Sequence, residues 1–190
     1  MTLLLTGRRE HALLASVVQE ASQRVEETGG YLGRTALQKM MYFLQVRGVP
    51  MRYRFDIHYY GPYCDAISRD IEWLMADEVV VDGSNNKLKY SNYKPGPAIG
   101  ELIALHGADL EPARPIIRAV VGTLLPLSPE RLELIATLHY LYRDQKASGG
   151  PGPWKERVVS RFREVKHDKF PQDEVSKTYD QMAGAGLLEP

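Results

Sequence analysis

The residue types that most often carry catalysis or hold metal ions are few and far apart in this sequence. The five histidines are His11, His58, His106, His139 and His167. No two of them are four residues apart, the spacing that places two imidazoles on one helix face around a zinc ion. His58 is close to the single cysteine, Cys64, but a lone pair of this kind is more often structural than metal-binding. We therefore expect no metal site and no cofactor.

Motifs for covalent or phosphate chemistry are also missing from the sequence. No serine or cysteine stands in the sharp strand-to-helix turn of a nucleophile elbow. The glycine-rich run from Gly149 to Pro153 contains two prolines and does not follow a strand, unlike a phosphate-binding loop. Cys64 lies one turn into the third predicted helix, where the helix dipole could lower the pKa of a reactive thiol. A small buried residue is the commoner of these two interpretations. We expect a protein that is not an enzyme and has no catalytic residue.

The composition is that of a folded protein without a strong overall charge. Hydrophobic residues make up 44% of the 190, enough for one substantial core or two small ones. The 24 basic and 24 acidic residues cancel, so nucleic acid would have to bind at a local patch. One cysteine suits the reducing cytoplasm, and no apolar run reaches the roughly 20 residues of a membrane span. We expect a cytoplasmic protein that does not bind membranes.

The first half of the sequence changes from helical spacing to strict alternation and back. The predicted elements are a helix over 8–27, a helix over 35–47, a strand over 53–60, a helix from about 62 to 76, and a hairpin of 79–82 with 87–90. Thr35 and Gln38 fit a capping box at the second helix, and Pro62 suits the start of the third. This order is typical of a winged-helix unit with a β-wing.

The second half is predicted to be helical. The helices are expected over 98–106, 112–125, 129–144, 154–166 and 172–185, with Ser128 as the N-cap of the third. We predict a mainly α fold with a small β component (α+β), divided into a winged-helix-like unit, 1–94, and a helical unit, 95–190, within one compact domain. The last helices are either a second, wingless helix-turn-helix unit or a coincidental set of helical hairpins.

A cluster of tyrosines marks the end of the predicted strand. Tyr59 continues the alternation of buried positions, so we expect its ring in the core. Tyr60 and Tyr63 flank Gly61 and Pro62, where tyrosine either packs the sides of a corner or serves as an interface residue. Both alternatives stay open for these two.

The third predicted helix carries an unusual excess of acids. Six carboxylates stand between residues 65 and 82 against one base, Arg69: they are Asp65, Asp70, Glu72, Asp77, Glu78 and Asp82. A winged helix that reads DNA normally places lysine or arginine here. The acids therefore indicate either a solvated face or a surface for a basic partner. The predicted partner-binding residues are Tyr60, Tyr63, Asp65, Arg69, Asp70, Glu72, Trp73 and Asp77.

Basic residues gather near the C-terminus, on and after the helix over 154–166. Residues 155–169 carry six bases and three acids, a modest net charge of +3. An amphipathic solvated helix and a nucleic-acid surface both fit this pattern. The nucleic-acid-binding residues in the second case would be Lys155, Arg157, Arg161, Lys166 and Lys169.

Two segments resemble the YwgA-type family. The first, Leu37 to Gln45, has leucine-glutamine-lysine, two methionines and an aromatic pair; the second, His58 to Tyr63, ends in an aromatic-glycine-proline-tyrosine corner. The sequence is more distantly similar to the SocA-like (Panacea) antitoxin domains. It looks most like the C-terminal toxin-binding domain of the DarG antitoxin, which also has segments similar to Glu133 to Tyr140 and to the end at Gly186 to Leu188.

The resemblance implies a specific function. In the DarT–DarG system the toxin is a DNA ADP-ribosyltransferase, and the DarG domain blocks it by occupying its DNA-binding surface. An acidic third helix fits such DNA mimicry, so we expect an antitoxin-like domain whose partner is a DarT-like toxin. A DNA-binding winged-helix regulator and a proteolytic adaptor of the SocA type are the alternatives. Because the sequence lacks the macrodomain that precedes this module in DarG, we expect either an excised module or a stand-alone relative.

Overall fold

A computed structural model describes residues 3–84, 90–149, 152 and 154–188. Most of this part of the chain is helical, and its strands form two separate two-stranded antiparallel sheets. This confirms the predicted mainly α, α+β fold class. No helix among the residues described is long and apolar enough to cross a bilayer.

The elements follow one another along the chain with short connections. The helices are α1 (Arg9–Thr28), α2 (Arg34–Val46), α3 (Asp65–Ala76), α4 (Ile99–Leu105), α5 (Gly107–Leu110), α6 (Arg114–Leu124), α7 (Pro129–Ala147), α8 (Trp154–Lys166) and α9 (Gln172–Gly184). The strands are β1 (Asp56–His58), β2 (Gly61–Tyr63), β3 (Val80–Asp82) and β4 (Tyr93–Pro95). The predicted helices are confirmed to within a few residues, and Ser128 caps α7 by accepting a hydrogen bond from the Arg131 amide, 3.2 Å away.

The chain folds into two compact units with interleaved sequences. Unit 1 contains 1–55 and 64–127, and unit 2 contains 56–63 and 128–190. The predicted boundary between 94 and 95 does not coincide with this division, because α4 and α6 pack on α1 inside unit 1. The β1–β2 hairpin belongs to unit 2 although its neighbours in sequence belong to unit 1.

Helix α1 is the centre of unit 1. Five consecutive residues, from His11 to Ala15, are fully buried, so the first half of this helix is enclosed on every side. It contacts α2, α3, α4, α6 and β4. A helix with apolar residues all round must lie inside other elements, which explains why later helices return to pack against it.

Gln38 does not form the predicted capping box. The N-cap of α2 is Gly33, which makes no side-chain cap, and Gln38 is buried. Its amide instead pairs with the backbone of Cys64: Oε1 accepts from the Cys64 amide at 3.0 Å, and Nε2 donates to the Cys64 carbonyl at 3.0 Å. The glutamine thereby satisfies both backbone groups of a residue just before α3.

The second strand of the predicted wing lies elsewhere. Strand β3 pairs with β4, with Val80 opposite Pro95. The second strand of this hairpin is therefore Tyr93–Pro95, in a segment that was expected to be a connector. Asp82 stabilises this pairing, because its Oδ1 accepts hydrogen bonds from the amides of Ser84 and Asn92. Residues 87–89 of the predicted strand lie outside the described residues. The winged-helix interpretation stays a prediction.

Helix α7 has the same central place in unit 2 as α1 has in unit 1. It contacts α8, α9 and β2. Its apolar residues join a core whose buried members include Leu134, Leu138, Phe162 and Tyr179. Ile57 of the hairpin packs against this core.

The predicted strand over 53–60 is wrong in its extent. Only Asp56–His58 is a strand, and it pairs antiparallel with Gly61–Tyr63, so Pro62 lies in β2 and not in α3. Tyr59 and Tyr60 form the two-residue turn. Gly61 follows with φ +88°, in the left-handed region that glycine adopts readily, and this allows the tight hairpin.

Candidate protein-interaction surfaces

The outer face of α3 holds half of the predicted partner-binding residues. Asp65, Arg69, Glu72 and Trp73 recur at helical spacing and are all exposed. The Trp73 side chain is 40% exposed, which is a large apolar area for a surface helix. The Arg8 guanidinium lies 5.4 Å from the centre of its ring, and His11 meets the ring edge-on. We call these four α3 residues the α3 face.

Asp70 does not belong to the α3 face, contrary to the prediction. It is 3% exposed and points into unit 1. Tyr53 donates its hydroxyl to Oδ2 at 2.7 Å, the Arg8 guanidinium forms an ion pair with Oδ1, and Nε2 of His11 lies 3.4 Å from Oδ1. The carboxylate is therefore already bound by three side chains of its own unit.

These contacts set the ionisation of Asp70 and Tyr53. Burial raises the pKa of Asp70, but hydrogen bonds from His11 and Tyr53 and the charge of Arg8 outweigh it, so this pKa is lower than its ordinary value. Burial and the hydrogen bond to Asp70 raise the pKa of Tyr53. The pair thus consists of a charged carboxylate and a neutral phenol at physiological pH.

Asp77 is also directed inward, which corrects the second predicted acid. Its Oδ2 accepts four hydrogen bonds, from the amides of Leu4, Leu5 and Thr6 at 3.1, 2.9 and 2.8 Å and from the Thr6 hydroxyl at 2.7 Å. Burial raises the pKa of Asp77, but these bonds outweigh it and lower that pKa. Asp77 therefore holds the N-terminal segment, and its buried carboxylate is not positioned to contact a partner.

The acidity of this region is consequently smaller than the sequence indicates. Asp65, Glu72, Glu78 and Asp82 remain exposed, against the exposed bases Arg69 and Arg8. The α3 face is an apolar tryptophan among mixed charges with a slight acidic excess. It is a weaker imitation of a phosphate backbone than six carboxylates would be.

The tyrosines of the β1–β2 turn form a second surface, in unit 2. Tyr59 is 68% exposed, so the expectation that it lies in the core is wrong, and Tyr60 is 55% exposed. Their rings meet edge-to-face with centroids 4.8 Å apart. Tyr63 is half-buried against His58, with ring centroids 5.2 Å apart. We call Tyr59 and Tyr60 the aromatic tip.

A buried ion-pair cluster contacts the aromatic tip and the backbone of its turn. Glu133 of α7 is buried, and its two carboxylate oxygens lie 2.8 Å from Lys166 Nζ and 2.7 Å from Lys169 Nζ. Lys166 also donates to the carbonyls of His58 and Tyr59. The ammonium of Lys169 lies 5.1 Å from the Tyr59 ring centre and 4.9 Å from that of Tyr60. Burial lowers the pKa of Lys166, although Glu133 acts in the opposite direction.

The predicted nucleic-acid-binding bases do not form one open patch. Lys155 pairs with Asp180 at 2.7 Å, and Arg161 with Glu164 at 2.6 Å. Lys166 is buried on Glu133, which Lys169 shares. Arg157 is exposed. Ion pairs within unit 2 therefore offset most of the positive charge that a phosphate backbone would need.

The sequence does not single out several residues that matter most in these clusters: they are Arg8, His11, Tyr53 and Glu133. One usable signal is a charged residue between two apolar neighbours of a helix, as at Glu133 between Leu132 and Leu134. Among the described residues, no group of three or more histidine, cysteine, aspartate or glutamate side chains comes together that could hold a metal ion.

No protein-family model matches this chain. Over 132 residues it is 28% identical to the uncharacterized protein YwgA of Bacillus subtilis, a match that covers 70% of this chain and 74% of YwgA. Over 163 residues it is 27% identical to a DNA ADP-ribosyl glycohydrolase of Thermus aquaticus. That match covers 85% of this chain but only 44% of the Thermus protein. The two similarities support a YwgA-like family for the chain.

Proposed function

We propose that this chain is a non-enzymatic, antitoxin-like binding domain that neutralises a DNA-targeting ADP-ribosyltransferase by occupying its DNA-binding surface. The similarity to the Thermus DNA ADP-ribosyl glycohydrolase carries the proposal, because it includes 85% of this chain and less than half of that protein. A glycohydrolase of that name acts on the product of a DNA ADP-ribosyltransferase. We therefore propose that the module shared with this glycohydrolase binds the transferase that ADP-ribosylates DNA.

The α3 face supports the proposal as a surface for a basic partner. Trp73 offers the kind of large, partly exposed ring that contributes most binding energy in protein interfaces. Asp65 and Glu72 are exposed on the same helix and lie outside the buried clusters that contain Asp70 and Asp77. Complementary charge mainly accelerates association and selects partners, whereas the buried ring slows dissociation.

The test is a titration of a purified DNA ADP-ribosyltransferase with the full chain, by calorimetry and by inhibition of DNA modification. We expect binding and inhibition. Asp65→Lys with Glu72→Lys should lower the association rate about tenfold at low salt, and Trp73→Ala should raise the dissociation rate. Glu26→Lys with Glu27→Lys, two exposed positions on α1, is the matched control. Absence of binding by the unchanged chain rejects the proposal.

A further inference from the structure

The two rings of the aromatic tip contact each other, and they are the most exposed large apolar side chains among the described residues of unit 2. We propose that Tyr59 and Tyr60 are a second binding element, which enters a pocket on a protein partner and places Lys169 opposite a carboxylate at its rim. The inference rests on the proposed function for the identity of the partner, a DNA ADP-ribosyltransferase. It does not depend on the α3 face.

The position of the two rings carries the first step. They occupy the two-residue turn of a hairpin and are therefore its outermost residues. Both rings are more than half exposed, while Ile57 in the same hairpin packs into the core of unit 2. Large aromatic rings that stay exposed at the end of a rigid element are better suited to binding in a pocket of a partner than to stabilising the fold.

The rigidity of the tip carries the second step. The buried Lys166 donates to the carbonyls of His58 and Tyr59, at the start of the turn. Glu133 fixes Lys166 and Lys169, and Lys169 lies against both rings. The turn is therefore held in one conformation before any partner arrives, which reduces the entropy that binding must offset.

The local charge carries the third step and selects the kind of partner. Lys166, Lys169 and Glu133 together carry one net positive charge, and part of Lys169 remains exposed. One such charge matches a single carboxylate of a protein. A nucleic acid needs several free cations along its backbone, whereas unit 2 contains eleven acidic and ten basic residues, and Arg161 and Lys155 are paired.

The experiment compares affinities of full-length variants for the purified ADP-ribosyltransferase. Tyr59→Ala with Tyr60→Ala should weaken binding on the order of 100-fold, since two central rings are removed. Lys169→Met should weaken it about tenfold, and less at high salt. Tyr31→Ala removes a tyrosine of unit 1 that is 46% exposed, and serves as the matched control with less than a twofold effect. Thermal unfolding of each variant confirms that it is folded.

The outcomes separate the two proposals. If the unchanged chain does not bind the enzyme, the proposed function fails, and this inference fails with it. If the unchanged chain binds and the double alanine variant binds equally well, only the inference is overturned. Tyrosine-dependent binding of a single-stranded oligonucleotide at moderate salt, without tyrosine-dependent binding of the enzyme, would also overturn it. Retention of affinity by Tyr59→Phe with Tyr60→Phe would show that the rings, not the hydroxyls, make the contact.

Discussion

Asp70 in unit 1 and Glu133 in unit 2 are both buried carboxylates, but they are neutralised in different ways. Asp70 is bound by an imidazole, a phenol and one guanidinium, that of Arg8, whose side chain is half exposed. Glu133 faces two lysines, and one of them, Lys166, is as buried as the acid. Loss of one partner therefore has unequal consequences. Asp70 keeps two hydrogen-bonding neighbours, whereas removal of Glu133 leaves a buried ammonium without its carboxylate.

The two units share a design in spite of this difference. In each, buried acids hold a non-helical segment whose apolar side chains face solvent. Asp77 fixes the backbone beside the exposed Leu4 and Leu5, and Glu133 fixes the lysines beside the aromatic tip. Asp77 was predicted to contact a partner, but its carboxylate instead positions the N-terminal segment.

The largest effect is expected from Glu133→Gln. The substitution leaves Lys166 charged in a buried site, and breaking a buried ion pair typically costs about 3–5 kcal/mol. Urea unfolding should show this loss in the free energy of unfolding. Glu130→Gln, on the exposed first turn of the same helix, should change it by less than about 0.5 kcal/mol. A loss below about 1 kcal/mol for Glu133→Gln would mean that the lysines find other partners.

Lowering the pH should weaken unit 2 before unit 1. Burial and the nearby Arg143 lower the pKa of His139 from 6.5 to about 4. Between these values the unfolded chain binds a proton that the folded chain does not, so stability falls as pH falls, by at most about 3 kcal/mol. Asp70 and Asp77 have lowered pKa values and lose their contribution only below about pH 4.

The measurement for this prediction is hydrogen exchange of α7 and α1 at pH 7 and pH 5. Protection of α7 should decrease more than that of α1. His139→Gln removes the titrating group and should flatten the pH dependence of unfolding over this range. An equal decrease of protection in both helices would contradict the difference between the units.

A smaller effect is expected from Asp77→Ala. Three amides and one hydroxyl lose their acceptor, but the N-terminal segment can detach and bind water, so we expect a cost of about 2 kcal/mol. Hydrogen exchange should increase at Leu5 and Thr6 while the α3 helix stays protected. Glu72→Ala, an exposed acid on the same helix, is the control. Unchanged exchange at residues 4–6 would show that other contacts hold the segment.

The smallest effect is expected from Arg8→Ala. Its side chain is 54% exposed, and ion pairs of this kind contribute about 1 kcal/mol or less. Asp70 keeps Tyr53 and His11. A loss above about 2 kcal/mol in urea unfolding would show that Asp70 depends on Arg8 as strongly as Lys166 depends on Glu133, and the contrast between the two acids would disappear.

Helices are predictable from this sequence because they depend on local spacing, whereas the predicted capping box of α2 and the predicted start of α3 near Pro62 are wrong. The 3.6-residue period locates α1, α7 and α8, and Ser128 with Pro129 marks a helix start. The inward direction of Asp70 is also predictable from the sequence, since the buried stripe of α3 contains Ile67, Asp70, Ile71 and Leu74. Asp77 continues that stripe by one further turn.

The surfaces are less predictable because they depend on contacts distant in sequence. The alternation that places Tyr53 in the core fails at Tyr59, where the strand has already ended and the turn directs the ring outward. Nothing local to His58 indicates Lys166, which lies 108 residues away. The ion pairs that reduce the basic charge of α8 likewise require the packed helices of unit 2.

The interleaved order of the two units constrains how the chain can be divided. A cut between Leu127 and Ser128 would leave the C-terminal fragment without the hairpin, and therefore without Ile57 in its core and the carbonyls that Lys166 binds. The fragment 128–190 should fold only when a hairpin is supplied in trans. Recombination at that point would not exchange a complete unit.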